Sequence, residues 1–289
     1  SSRLSTRRAH LAGSLENRLR RNWYELQSTD MSSSGSGYDL SPTTFSTEGR
    51  IFQVEYATKA VENSGTAIGI RCVDGVVLGV EKILMNKLLK PGANKQIATI
   101  SKHAGMAYAG FGPDARQLVN RARSEAESYM DTYGSEIPPE VLAERMSQYV
   151  HYFTLHGALR PFGTGAIVAA YDPDRSLHQL YMIEPSGVNF RFFGAALGKG
   201  RMGAKTEIEK LDLGSMTCRE ALKEVAKIIH MLHDEGKDKP FELELSWLCK
   251  ESEWKHVQVP AALKDEMEQA ALKEIEDAEM EEDDDDEEA

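Results

Sequence analysis

The stretch Glu48–Gly69, EGRIFQVEYATKAVENSGTAIG, constrains this chain more than any other. At about 100° per residue, Ile51–Asn63 gathers Phe52, Val54, Tyr56, Ala57, Ala60 and Val61 on one broad arc. Glu55, Thr58, Lys59 and Glu62 collect opposite, with Ile51 among them. The apolar arc covers roughly 200°, wider than the ~100° stripe with which a surface helix lies on a single core. The pattern predicts a helix wedged between two bodies, although an ordinary buried helix ahead of a sheet fits the periodicity equally well. Ser64-Gly65 ends it, glycine being suited to a left-handed cap, and the strand-like TAIGIRCV follows at once.

TAIGIRCV and DGVVLGVEKI are apolar runs joined at Val73-Asp74-Gly75, and an Asp-Gly pair there is a strong hairpin signal. Their near-continuous hydrophobicity predicts strands covered on both faces. Gln96–Ile100 and Ala104–Phe111 predict a second hairpin. Leu118, Val119, Ala122, Ala126, Tyr129, Met130 and Tyr133 recur at helical spacing. Leu142, Met146, Tyr149, Val150 and Phe153 do the same after Pro138-Pro139, a good helix start. Gly163–Tyr171, Gln179–Ile183 and Val188–Ala196 predict three strands, with Glu184-Pro185-Ser186-Gly187 as a turn. Helices follow near Arg201–Leu211 and Thr217–Asp234, then strands at Phe241–Leu248 and His256–Val259. Two helices between two batches of strands, and two more behind, permit a helix–sheet–sheet–helix stack. Ala261–Met280 carries Leu263, Met267, Ala270, Ala271 and Ile275 on one side of a charged helix, and Glu281–Glu288 is expected to be solvated coil.

Composition narrows the function. No window approaches 18 uninterrupted apolar residues, so no membrane span is expected. A net charge of −12 argues against general nucleic-acid affinity; much of it sits in Glu276–Glu288, which holds no basic residue. Cys72, Cys218 and Cys249 are far apart and form no CxxC pair, as expected of reduced thiols in the cytoplasm or nucleus.

The run Tyr38-Asp39, Ser41–Ser46, Gly49–Ala57 and Ala60-Val61 resembles the amino-terminal signature of 20S proteasome α-subunits. The resemblance implies an α+β fold: a four-layer αββα sandwich of two mainly antiparallel sheets flanked by helices, Ntn-hydrolase-like, with an extra amino-terminal helix. It divides the chain into a non-native or disordered extension (1–30), an α-subunit domain (31–260), a carboxyl-terminal helix (261–280) and an acidic tail (281–289). Within the domain, 31–47 is a gate tail and 48–64 the amino-terminal helix. Residues 1–30 are basic and Ser-rich like a transit peptide, but Met31-Ser-Ser-Ser-Gly-Ser-Gly looks like a family start. The implied function is structural and gating, without catalysis and without cofactor. The implied partners are other α-subunits in a seven-membered ring, β-subunits, and regulatory particles or activators, with no nucleic acid and no membrane. Tyr38, Asp39, Leu40 and Pro42 fall in the gate; Leu40 stands where the family usually has arginine, so that guanidinium contact is missing. Phe52, Val54, Tyr56, Ala57 and Val61 fall on the ring-contact helix. A family lysine that receives activator carboxyl termini aligns at Lys95 or at Gln96, and an ordinary surface lysine at Lys95 is the alternative.

Three motifs compete with this reading. Gly65-Thr66 resembles the junction at which active β-subunits free a threonine whose own amine serves as base. Strand register instead puts Gly65 at the threonine, Glu81 at the aspartate and Gln96 or Lys95 at the lysine. Ala196–Lys199 lacks the expected serine, and Phe241–Ser246 lacks a Ser-Gly-Gly loop. A threonine peptidase processed before Thr66 is the alternative function, and a free acidic-tailed scaffold a third. Gly198-Lys199-Gly200-Arg201-Met202-Gly203 matches G-x-G-x-x-G, but its distant acid, Glu220, lies in a helical pattern, so a tight strand-to-helix turn is expected. His230 and His233 share a helix face without further zinc ligands and are expected to be solvated or capping. Arg160-Pro161-Phe162-Gly163 resembles a family turn that places the next strand.

Overall fold

The computed structural model describes residues 37–90, 92–234, 236 and 238–287; the extension expected at 1–30 and most of the Gly/Ser-rich run after it lie outside these. The Asp74-Gly75 turn joins strand β1 (Ala67–Arg71) to β2 (Gly75–Ile83), which pair antiparallel from Ala67↔Val80 to Arg71↔Val76. β2 pairs antiparallel with β9 (Phe241–Cys249), and the sheet closes with β10 (Val257–Gln258) on one edge and β8 (Gly194–Leu197) on the other. The second sheet runs β3 (Ile97–Ser101), β4 (Ala104–Gly110), β5 (Thr164–Asp172), β6 (Leu177–Ile183) and β7 (Asn189–Phe192) in chain order.

Each sheet carries helices outside. Helices α2 (Gly112–Tyr133) and α3 (Pro139–Tyr152) bury Leu118, Leu142 and Met146 against Met106 and Val168 of the second sheet. Helices α4 (Arg201–Lys210), α5 (Cys218–Leu232) and α6 (Ala261–Glu287) cover the first, where Leu222 and Val225 meet Ile68, Ile70 and Trp247. Between the sheets lie Leu78, Ile167 and Leu180. Side chains buried this fully contribute roughly 1.5–3 kcal/mol each. This is the αββα sandwich expected, and the strands are apolar on both faces because both faces are covered. Helix α1 (Phe52–Glu62) is the extra amino-terminal helix, its Val61 packed into the inter-sheet cluster.

Local chemistry explains the boundaries. Thr217 caps α5 through a reciprocal box in which its N–H donates to Glu220 Oε2 at 2.8 Å and the Glu220 N–H returns to the Thr217 hydroxyl. Glu220, the acid that a nucleotide site would need, is occupied by that cap. The three cysteines are free and share one core cluster.

Four expectations are corrected. The single strand Val188–Ala196 is two strands in different sheets: β7 pairs with β6, β8 pairs with β1, and the chain crosses at Phe193. Periodicity cannot show a change of pairing partner. His256–Val259 contracts to the two-residue β10. The coil expected from Glu281 is helical as far as Glu287, since no proline or glycine follows Pro260 to break the ladder. Of the two histidines expected to be solvated or capping, His233 does stand at the C-cap of α5, but neither is left to solvent, since each pairs with a glutamate far away in sequence.

Candidate functional site

The residues picked out by sequence fall into three places. The first is the amino-terminal segment. Tyr38 is 39% and Leu40 85% exposed, Asp39 is half-buried and Pro42 buried. The Gln53 side-chain amide of α1 donates to the Asp39 carbonyl and ties this segment to the helix. On α1, Ala57 and Val61 are buried and Phe52 and Val54 half-buried, while Tyr56 stays 42% exposed. Phe52 stacks on Tyr56 and carries the Arg50 guanidinium 5.2 Å from its ring centre. One side of the wide apolar arc therefore meets the core, and the other is only partly covered within the described residues, Tyr56 being the most exposed.

The second place is the corner around Thr66, which is 2% exposed at the head of β1. Its backbone N–H donates to Glu81 Oε2 at 2.9 Å, and its hydroxyl accepts from the Gly200 N–H at 3.1 Å. The other Glu81 oxygen pairs with His233 Nδ1 at 2.8 Å. The glycine motif closes this corner. Gly198 has φ +94°, and a Cβ there would stand 2.3 Å from the Gly65 carbonyl oxygen; one at Gly200 would stand 2.6 Å from the Thr66 hydroxyl. The glycines serve close packing, and β8 leads into α4 from an antiparallel pair, not from a parallel βαβ unit. In the uncleaved chain the Thr66 nitrogen is a peptide amide, whose lone pair is delocalised into the carbonyl and so cannot act as a base.

The third place is a groove of about 510 Å³ between α2, β3 and β10, and Lys95 lines it. Lys95 Nζ donates to Gln258 Oε1 at 2.7 Å, and Arg123 Nε donates to the Thr99 carbonyl at 3.0 Å. Arg116 and Asn120 extend the same exposed face of α2. His256 forms part of the floor between Thr99 and Ser246, and burial pushes its pKa down to about 4, so it stays neutral. Burial, with Glu244 second, pushes the Tyr108 phenol up. Among the described residues lining the groove there is no carboxylate. Three cationic side chains, Lys95, Arg116 and Arg123, give its lining a positive charge that an anion such as a carboxylate would complement.

Lys95 thus joins the groove and none of the gate or α1 residues does. Sequence reading missed Arg116, Arg123, His256 and Gln258. The spacing of Arg116, Asn120 and Arg123 along one helical face was a usable signal; the approach of β10 was not. Arg160, expected in a turn that places the next strand, does so through Asp114 at the start of α2. Its guanidinium meets both Asp114 oxygens at 2.6 and 2.7 Å, and the Gly163 N–H donates to the same carboxylate. That guanidinium holds the Asp114 carboxyl below the usual range, against partial desolvation.

The sequence has counterparts among known proteins. Residues 61–248 match a family model described as proteasome subunit, and residues 38–60 match a model for the N-terminal signature of A-type proteasome subunits. Proteasome subunit alpha type-3 of Arabidopsis thaliana is 58% identical over 241 residues, covering 83% of this chain and 96% of the relative. The protein of the same name from Spinacia oleracea is 57% identical over 246 residues, covering 85% and 98%. A probable proteasome subunit alpha type-7 of Saccharomyces cerevisiae is 50% identical over 226 residues, 77% of each chain.

Proposed function

The chain belongs to the proteasome subunit family and is of its α type, and from that premise we propose that it is a non-catalytic structural and gating subunit of the 20S core. It sits in a seven-membered outer ring beside other α-subunits, with β-subunits below and regulatory particles above. Its task is exclusion: a narrow entry admits unfolded chains, in ubiquitin-dependent and ubiquitin-independent degradation, to peptidase sites on other subunits. The bonding of Thr66 is the observation that supports the non-catalytic part. Its N–H and its hydroxyl are both held, by Glu81 and by the Gly200 N–H, and Gln96, where register offers a lysine, gives its N–H to Glu244.

Tyr38, Asp39, Leu40 and Pro42 form the root of the gate segment, anchored through Gln53. The partly covered side of α1, with Phe52 and Tyr56, meets a neighbouring subunit in the ring, while Val54, Ala57 and Val61 hold the helix to its own body. Lys95 receives the carboxyl terminus of a regulator in the cationic groove. The protein resides in cytoplasm and nucleus, which suits three free buried thiols.

Native mass spectrometry of the chain purified from its source tests the reading. The expected result is a large barrel containing threonine-type subunits, with this chain intact across Gly65-Thr66. A stable monomer, or a product beginning at Thr66, would overturn it; the second outcome would favour the peptidase alternative.

A further inference from the structure

Between the two sheets, where apolar side chains are the rule, one end of the sandwich holds a buried ionic cluster. Lys82 is 2% exposed, and its ammonium lies 2.6 Å from Glu242 and 3.4 Å from Glu244. It also donates to the Ala93 carbonyl at 3.1 Å. Glu244, 7% exposed, accepts from the backbone N–H groups of Gln96 and Ile97 at 2.8 and 3.1 Å. The Tyr108 hydroxyl donates to the Lys95 carbonyl at 2.7 Å. Side chains from β2, β4 and β9 thus grip the backbone at Ala93, Lys95, Gln96 and Ile97, while the Lys95 side chain is left to reach across the groove.

A buried ion cluster is a poor source of stability, because apolar replacements of like volume often do as well or better. What it supplies here is position. We propose that Lys82, Glu244 and Tyr108 are positioning residues that fix the backbone around Lys95, so that its ammonium is presented ready-made to an incoming C-terminal carboxylate. The inference rests on the docking role of Lys95 proposed above. In the resting chain Gln258 Oε1 occupies the ammonium at 2.7 Å. A carboxylate displaces that neutral acceptor without moving the loop.

The test uses core particles assembled with Lys95→Ala, Tyr108→Phe or Glu244→Gln chains. The probes are a fluorescent peptide of glycine, alanine and leucine ending in a free carboxylate, and the same peptide amidated. Tyr108→Phe is the cleaner variant, removing one hydroxyl without disturbing the ion cluster. It is expected to weaken the carboxylate peptide about three- to tenfold, as loss of one neutral hydrogen bond would, and to leave the amide unchanged. Glu244→Gln keeps the volume and is expected to do the same, with faster amide exchange at Gln96 and Ile97. A merely structural role would lower both peptides together or neither. If Lys95→Ala weakens the carboxylate peptide but the other two variants do not, the positioning role falls and the docking role stands. If Lys95→Ala has no effect, the docking role falls, and with it the presentation of Lys95; the exchange rates then report only a backbone clamp.

Discussion

The Thr66 corner and the Lys95 groove use similar materials to opposite ends. Each has a hydroxyl, a histidine and hydrogen-bonding side chains, the corner at the head of an inner strand and the groove at a sheet edge. In the corner every polar group named is spent on another: Thr66 on Glu81 and Gly200, Glu81 on His233. In the groove the charged groups keep water contact, while His256 and Tyr108 are sealed into the floor. Reactivity needs a group with an unfilled commitment, so burial with full pairing silences the corner, while incomplete burial leaves the groove able to bind.

Substitutions can break this contrast. The largest effect is expected from Gly198→Val, which combines a left-handed backbone with a clash against the Gly65 carbonyl. It should cost about 3 kcal/mol or more in urea unfolding; tolerance of valine would mean that the corner is loose. Glu81→Ala strands the Thr66 N–H and His233 together and should cost about 2–3 kcal/mol, read from the same midpoint shift. Asp114→Asn tests the anchor of α2, the helix that carries Arg116 and Arg123, and should cost about 1–2 kcal/mol at neutral pH, discounted because the Arg160 end is exposed. The folded carboxyl titrates below the unfolded one, so its stabilisation is present above an unfolded pKa of about 3.9 and is lost as pH falls below it. The gap between wild type and variant should therefore begin to narrow as pH falls below the unfolded value, and a gap that shows no narrowing there would refute the ion pair. Lys95→Ala should move stability by about 0.5 kcal/mol or less, while weakening binding of the carboxylate peptide. A large loss of stability would show that the lysine belongs to the framework.

The legible parts of this chain were those written locally. Asp74-Gly75 named its hairpin, Pro138-Pro139 its helix start, and the spacing of Phe52, Tyr56 and Val61 its helix, because each signal needs only neighbours in sequence. What escaped depends on partners far along the chain. Nothing around His233 announces Glu81, and nothing in VNFRFFGAAL announces that Asn189–Phe192 and Gly194–Leu197 bond to different sheets. The candidate groove was half legible: Lys95 stood out by resemblance, whereas Gln258 and His256 arrive from the end of the first sheet. Repulsion among the terminal carboxylates suggested coil, yet most residues of α6 are good helix formers and no breaker interrupts them, and the helix persists.

The crossing at Phe193 has a mechanical consequence. The Phe193 carbonyl accepts from the Arg71 N–H at 2.7 Å, so the hinge between layers is itself bonded into the first. A strand shared in this way works as a stitch: neither layer can peel off while its own thread runs through the other. Heat should then meet one seam, not two, and calorimetry of the folded chain should show its sheets melting in a single step.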